Sequence, residues 1–370
     1  MNKNENKKEI CPAEITGKRI SSTFFLDERV KDILKKATIY VVPFLLFFIS
    51  LFWGRYMMDP SDVMTVLAGK TADTFFPFLN LQNTYNSINE TVIMQIRLPR
   101  VIAAMLIGAG LSIAGASYQG LFRNPLVSPD ILGVASGAGF GAALAILLYA
   151  GSFMTQVSAF VFAIAAVSLT CLIAKAYKGS GTLVLVLSGI IISALFSALL
   201  SALKYVADPY DTLPAIVFWL MGSLSSVSMS DVLSVAPPIL IAGFVLYLIR
   251  WRINILSVSE EEARALGVDT KNLGRVIILC ATVITASCVC ISGIIGWVGL
   301  VIPHIARMLV GPDFKKLIPA SILLGASYLL IVDDISRTLI ETEIPIGILT
   351  ALIGAPFFAY LLTRKKVGWL

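Results

Sequence analysis

From Val101 to Phe122 the chain passes through 22 residues without a charge, and runs of this kind recur from residue 37 almost to the C-terminus. A helix needs about 20 consecutive apolar residues to cross a bilayer. Ordinary soluble domains carry about 25% charged residues, whereas this chain of 370 residues is 14% charged and 57% hydrophobic. The repeated runs therefore exclude one or two soluble domains. They predict an all-α, polytopic bundle of helices in lipid.

The candidate spans are 37–54, 101–122, 131–149, 156–174, 182–203, 232–249, 274–295, a short 298–310, 317–332 and 344–363. An eleventh run, 212–230, is too polar for a clean span. It holds four serines within 223–228, together with Pro214 and Gly222, and reads as a short helix at or dipping into the outer surface. Lys and Arg accumulate in short cytoplasmic loops. With ten spans and an internal N-terminus, 23 of the 29 basic residues lie inside, leaving Arg55, Lys70, Arg97, Arg100, Lys204 and Arg337 outside. An eleventh crossing would put the basic segments 250–275 and 364–366 outside. Ten transmembrane helices with both termini in the cytoplasm is the reading that charge supports. Residues 1–36 are polar and charged, lack a cleavable signal pattern, and read as a solvated N-terminal tail ahead of a 37–366 membrane domain.

Small residues set the packing expectations. Ala104, Gly108, Ser112, Ala116 and Gly120 recur every four residues, as do Gly133, Gly137, Gly141 and Ala145. Residues four apart share a helix face, and small faces let membrane helices approach closely. Four of the five cysteines, Cys171, Cys280, Cys288 and Cys290, lie in apolar runs and read as small hydrophobes, while Cys11 lies in the tail.

The inner segment 250–275 carries Ser259-Glu260-Glu261-Glu262, which fits a capping box, followed by Gly267 at a position suited to a left-handed helix stop. This predicts a helix of about two turns from Glu260 to Leu266, too short to cross a membrane, with Ala263 and Leu266 free for contacts. On the outer side, Arg97 and Arg100 flank Pro99, and Arg337 lies near Glu341 and Glu343. Such arginines either snorkel at the interface or form a cationic patch that pairs with carboxylates of a partner.

Rival functions find little support. Gly69-Lys70-Thr71 resembles the end of a phosphate loop, but the first glycine of that motif would fall at Met64, so ATP chemistry must come from another chain. An ion-coupled secondary transporter is the main alternative. Such proteins keep ionisable residues within their spans, whereas here Asp130, Asp333 and Asp334 sit at span ends. His304, the single histidine, has no clustered ligands or carboxylates around it in sequence and reads as structural.

The stretch R-L-P-R-V-I-A-A-M-L-I-G-A-G-L-S-I-A-G-A-S-Y-Q-G-L-F-R-N-P-L-V-S-P-D-I-L-G (97–133) resembles the FecCD-type permeases of iron–siderophore, haem and cobalamin importers driven by ATP-binding-cassette (ABC) ATPases. So do E-E-E-A-R-A-L-G-V (260–268), G-W-V-G-L-V-I-P-H-I-A-R (296–307), L-I-P-A-S-I-L-L-G-A (317–326) and I-P-I-G-I-L-T-A-L-I-G-A-P-F-F (344–358). The resemblance implies a cobalamin-importer-permease-like fold with inverted halves. It implies a homodimer or close paralogue heterodimer, two cytoplasmic ABC ATPases that carry ATP and Mg, and an extracytoplasmic binding protein. It places the chain in a prokaryotic cytoplasmic membrane. No cofactor on this chain, no catalytic or metal site and no nucleic-acid partner is expected. By the same resemblance, segment 259–267 (Glu260, Glu261, Glu262, Ala263, Arg264, Leu266 and Gly267) is a coupling helix that docks on an ATPase. Arg97, Arg100 and Arg337 receive the binding protein, and Asn124, Leu126 and Thr182 lie at inner gates. The cargo implied is an iron–siderophore or related metal chelate.

Overall fold

The computed structural model describes residues 37–75, 86–177, 182–256 and 260–363, and all the regular structure among them is helical. The N-terminal tail and Ser259 of the expected capping box lie outside the described residues. In chain order the helices are α1 (Ala37–Phe52), α2 (Pro60–Phe75), α3 (Ser87–Phe122), α4 (Val134–Leu147), α5 (Gly151–Ala176), α6 (Thr182–Val206), α7 (Thr212–Met221) and α8 (Met229–Leu248). They continue with α9 (Arg250–Ile255), α10 (Glu260–Ala265), α11 (Thr270–Ser292), α12 (Val298–Val310), α13 (Phe314–Thr338) and α14 (Ile346–Thr363). Each of the ten apolar runs falls on one of these helices. Six of them (α3, α5, α6, α8, α11 and α13) are long and apolar enough to cross a bilayer, while α1, α4, α7, α12 and α14 are shorter apolar helices.

The long helix α3 is the axis of the bundle, packed by α8, α11, α12 and α13. Its composition makes that position possible. A Cβ on Gly108 would overlap the carbonyl oxygen of Gly325 on α13, and one on Gly115 would overlap that of Gly299 on α12. The four-residue stripe read from sequence is thus the seam along which backbones touch, as small residues permit. The second stripe does the same for α4 on α5, where Gly137 and Gly141 face the backbone of Phe162 and Ser158. The outer ring is different in kind. Leu183, Leu187, Ile190 and Leu195 on α6, and Leu240, Ile241 and Phe244 on α8, are exposed. Exposed leucine carries no penalty against lipid tails, which are equally apolar.

One feature departs from the sequence reading and another bears out a finer part of it. Residues 55–97 hold no apolar run, yet they form α2 and the first turns of α3, with a π-helical stretch at Val92–Arg97. Helix α2 is amphipathic and buries Val63 and Val66 completely. It is tied to α3 by Asn89 Nδ2 donating to Asp62 Oδ2 at 3.1 Å and by the Lys70–Glu90 ion pair. Arg97 and Arg100 therefore sit inside a helix rather than ahead of one. Second, 212–230 resolves into ten residues of helix, α7, and a serine-rich turn, which matches the expected short surface element more closely than a span.

Candidate functional site

Three places on the bundle gather polar chemistry. The first is a cavity of about 920 Å³ at the end of the bundle that the charge distribution assigns to the outside. It is walled by the facing ends of α4, α5, α7, α8 and α11 and by the segment before α14. Backbone hydrogen bonds hold its floor: Ser223 N donates to Ser292 O at 2.8 Å, and Ile346 N to Gly222 O at 2.9 Å. Hydroxyls dominate its polar lining, from Ser152, Thr155, Ser223, Ser225, Ser226 and Ser292. Asp231 and Glu343 are the charged residues of the wall. Asp231 accepts from Gln156 Nε2 at 2.8 Å and from the Ser228 amide at 2.9 Å, completing a capping box at the start of α8. The four serines of 223–228 were visible in sequence as an anomaly in an apolar stretch. That they converge with Asp231 and Ser292 was not.

The second is a buried charge network at the same end. Arg100 donates from Nε to both carboxylate oxygens of Asp333, at 2.9 and 3.0 Å, and from Nη1 to Glu343 Oε1 at 2.9 Å. Arg97 donates to the carbonyls of Leu51 and Phe52, at 2.7 and 3.1 Å, and to that of Tyr56. Arg337 pairs with Asp334 and donates to Ser50 O at 2.7 Å, while Ser50 Oγ donates to Asp334 at 2.6 Å. Arg97, Arg100 and Arg337 are only 4%, 5% and 6% exposed, and Asp333 is 0% exposed. The sequence left these arginines as either interfacial snorkellers or an exposed cationic patch; in the structure their side chains point inward and meet the chain's own acceptors. Three of those acceptors, the carbonyls of Ser50, Leu51 and Phe52, lie in the last turn of α1, where the helix dipole favours a cation. Asp333 and Asp334, read from sequence as lying at a span end, fall in the last two turns of α13.

The third is the opposite end, which the charge distribution assigns to the inside. Helix α10 covers Glu260–Ala265 and stops as anticipated. Gly267 has φ +74°, and Val268 N donates to Ala263 O at 3.1 Å, the six-to-one bond of a Schellman stop. Leu266 is 66% exposed and Glu262 is exposed. Ala263 is 0% exposed, so it anchors the helix to its own chain and is not free for a partner, contrary to the sequence expectation. At the N-P-L turn, Asn124 Oδ1 accepts from Leu126 N at 2.9 Å, leaving Asn124 and Leu126 exposed beyond the left-handed Arg123. Thr182 is exposed at the first position of α6. Sequence reasoning missed what holds this turn. Gln119 Oε1 accepts from Arg307 Nη2 at 3.0 Å, and Gln119 Nε2 lies 3.4 Å from the carbonyls of Val127 and Leu300. Two motifs read separately, at 97–133 and 296–307, are thus clasped where the end of α3 meets α12. His304 packs edge-on against Phe357 and Phe358 of α14, a structural contact.

An all-helical bundle with apolar outer faces, a polar cavity at one end and a short exposed helix at the other defines a multi-pass membrane transport protein. The chain belongs to the FecCD transport family, which matches residues 42–364. It is 43% identical over 321 residues to the molybdate import system permease protein of Haemophilus influenzae, covering 86% of this chain and 92% of that one. It is 40% identical to the cobalamin import system permease protein of Halobacterium salinarum (75% of each chain). It is 39% identical to the Fe(3+)-citrate import system permease protein of Bacillus subtilis (87% and 92%). Among solved structures, an inward-facing conformation of a metal-chelate type ABC transporter matches with a TM-score of 0.77 at 40% identity, over 88% of this chain and 97% of that one. The chain is accordingly a membrane permease of ABC importers, a transport component and not a catalyst. The ion-coupled alternative falls away with that membership.

Proposed function

We propose that this chain forms the translocation path for a metal chelate, an iron–siderophore or a related complex such as haem or cobalamin, moved inward by alternating access. Two copies, or one copy and a close paralogue, enclose the path. Two cytoplasmic ATPases supply the work and hold the ATP and Mg. An extracytoplasmic binding protein delivers cargo to the outer face, and both termini lie inside. Family membership and the metal-chelate structural neighbour support this reading. The local observation that carries it is α10: a short, Schellman-stopped helix on the basic side of the bundle, with Leu266 projecting into solvent. An exposed leucine on a rigid turn suits an ATPase groove. Glu260, Glu261, Glu262, Arg264 and Gly267 make up the rest of that coupling element. Asn124, Leu126 and Thr182 serve the inner gate. Arg97, Arg100 and Arg337 serve docking at one remove, by holding the outer rim in shape.

Purification in mild detergent from the native membrane tests the assembly. An ATPase subunit is expected in equal amount, and it should be lost in a Glu261→Lys, Arg264→Glu, Leu266→Glu variant that still folds. A clean preparation without an ATPase, active in ion-driven uptake, would overturn the reading.

A further inference from the structure

The relatives' names span two kinds of cargo: an oxyanion, molybdate, and larger iron and cobalamin complexes. The outer cavity distinguishes between them. At about 920 Å³ it is of the size that encloses a drug-sized ligand, far larger than a four-oxygen anion requires. Its charge is the second discriminator. The wall contains two carboxylates, Asp231 and Glu343, and no Lys, Arg or His among the described residues. Glu343 shares Arg100 with the buried Asp333, so one cation faces two carboxylates. Asp231 is held by neutral donors only, Gln156 Nε2 and the amide and hydroxyl of Ser228, so its negative charge stands in the wall without a counter-ion in contact. The remaining polar groups are hydroxyls, which donate or accept and set no charge preference. Sites that hold oxyanions use guanidinium, ammonium or clustered backbone N–H donors, and this wall offers none of the cationic groups.

We propose that the outer cavity is a charge-selecting vestibule, in which Asp231 admits neutral or cationic metal chelates and disfavours anions, free molybdate included. The proposal rests on the importer reading given above and deepens it by assigning the class of cargo. A single charge about 8 Å from the ligand, at an effective dielectric constant of about 40, corresponds to about sixfold in affinity for a monoanion and about thirtyfold for a dianion.

Trp219 lines the cavity and provides the probe. The permease, purified with its ATPase, is titrated with a neutral ferric trihydroxamate, with anionic ferric citrate and with sodium molybdate. The quenching that Trp219→Phe abolishes is recorded for each. The trihydroxamate is expected to bind, and the two anions to bind more weakly by factors of that order. Asp231→Asn keeps the capping geometry and should strengthen ferric citrate several-fold and molybdate more, leaving the trihydroxamate unchanged. Ser225→Lys, on the exposed turn away from the α8 cap, should shift selectivity in the same direction and covers the case in which the Asp231 variant fails to fold. Molybdate binding as tight as the chelate, binding of none of the three, or a ratio unmoved by either variant would overturn the proposal. ATP-driven uptake by the same preparation in vesicles separates the two readings. Uptake without charge discrimination removes the vestibule and keeps the importer. Charge-selective binding with no ATP-driven uptake of any probe removes the importer and keeps the selectivity.

Discussion

Arg100→Met places the buried charge network under the most direct strain. Arg100 is the guanidinium in contact with Asp333, which is 0% exposed and receives two donors from it. Removing one member of a buried pair leaves an uncompensated charge and costs about 3–5 kcal/mol. Glu343 loses the same partner but is part-exposed, with 31% of its side chain accessible, so water replaces much of what Arg100 supplied and the further cost is about 1 kcal/mol or less. The single variant should therefore be destabilised by about 3–6 kcal/mol, a large part of the 5–15 kcal/mol typical of a folded domain. Adding Asp333→Leu removes the orphaned charge and should restore most of the loss, because an apolar pair of similar volume is often neutral relative to a buried ion pair. Equilibrium unfolding in mixed micelles, followed by tryptophan fluorescence, measures all four corners of the cycle. A cost below about 1 kcal/mol for Arg100→Met, or a double variant equal to the sum of the singles, would refute the argument. A docking role alone predicts the opposite pattern: unchanged stability and weakened capture of the binding protein.

Two other expectations follow from close contacts. Gly115→Ala drives a methyl group into the carbonyl oxygen of Gly299, and neither backbone can yield without shifting α3 or α12. A loss of about 1–3 kcal/mol is expected from overpacking, read by the same unfolding assay, whereas Gly296→Ala meets open space and serves as the control. At the basic end of the bundle Asp313 caps α13 by accepting from the Lys315 amide, and it accepts from Asn254 Nδ2 of α9, whose Oδ1 takes the Phe314 amide. The Lys315 amide, then Asn254 and the nearby lysine charges, hold its carboxyl below the usual carboxylate range. A lowered native value means that its contribution is present above the ordinary carboxylate range and is lost as pH falls through the native one. Asp313→Ala should cost about 1 kcal/mol at neutral pH, and the gap from wild type should close on acidification. A gap that widened in acid would contradict the assignment.

The bundle was legible because its cause is local. Lipid demands long uncharged helices, and every such run in the chain became a helix. The stop at Gly267 was equally legible, since a left-handed residue after a short helix is a property of a few neighbouring positions. Helix α2 escaped because it lies at the surface with one buried face. Its two fully buried valines, Val63 and Val66, are three positions apart in a segment broken up by Asp62, Lys70 and Asp73, too thin a signal for a search built on continuous apolar runs. The clasp of Gln119 on Arg307 and the convergence of Asp231 with Ser223 and Ser292 escaped for a different reason. Gln119 and Arg307 are 188 positions apart, and Ser292 is 61 from Asp231, and no local period encodes such distances.

The outer arginines show how a sound rule can mislead about individual residues. Basic residues are scarce outside because crossing the membrane with them is disfavoured, so those that remain invite a functional explanation. The rule counts charges and takes no account of carbonyls. The outer ends of α1 and α13 are helix C-termini, each presenting unsatisfied carbonyl oxygens and the negative end of a dipole. Arg97 meets Leu51 and Phe52 at the end of α1, and Arg55 meets the carbonyls of Arg337 and Ile340 at the end of α13, both at 2.8 Å. Arg100 and Arg337 meet carboxylates of α13 itself. Four of the six outer basic residues are therefore retained by acceptors within the chain, and Lys70 by Glu90. The same network ends at Glu343 on the cavity wall. Arg100 serves two carboxylates there, Asp333 and Glu343, so one cation cannot cancel both and the wall stays negative at Glu343 as well as at Asp231.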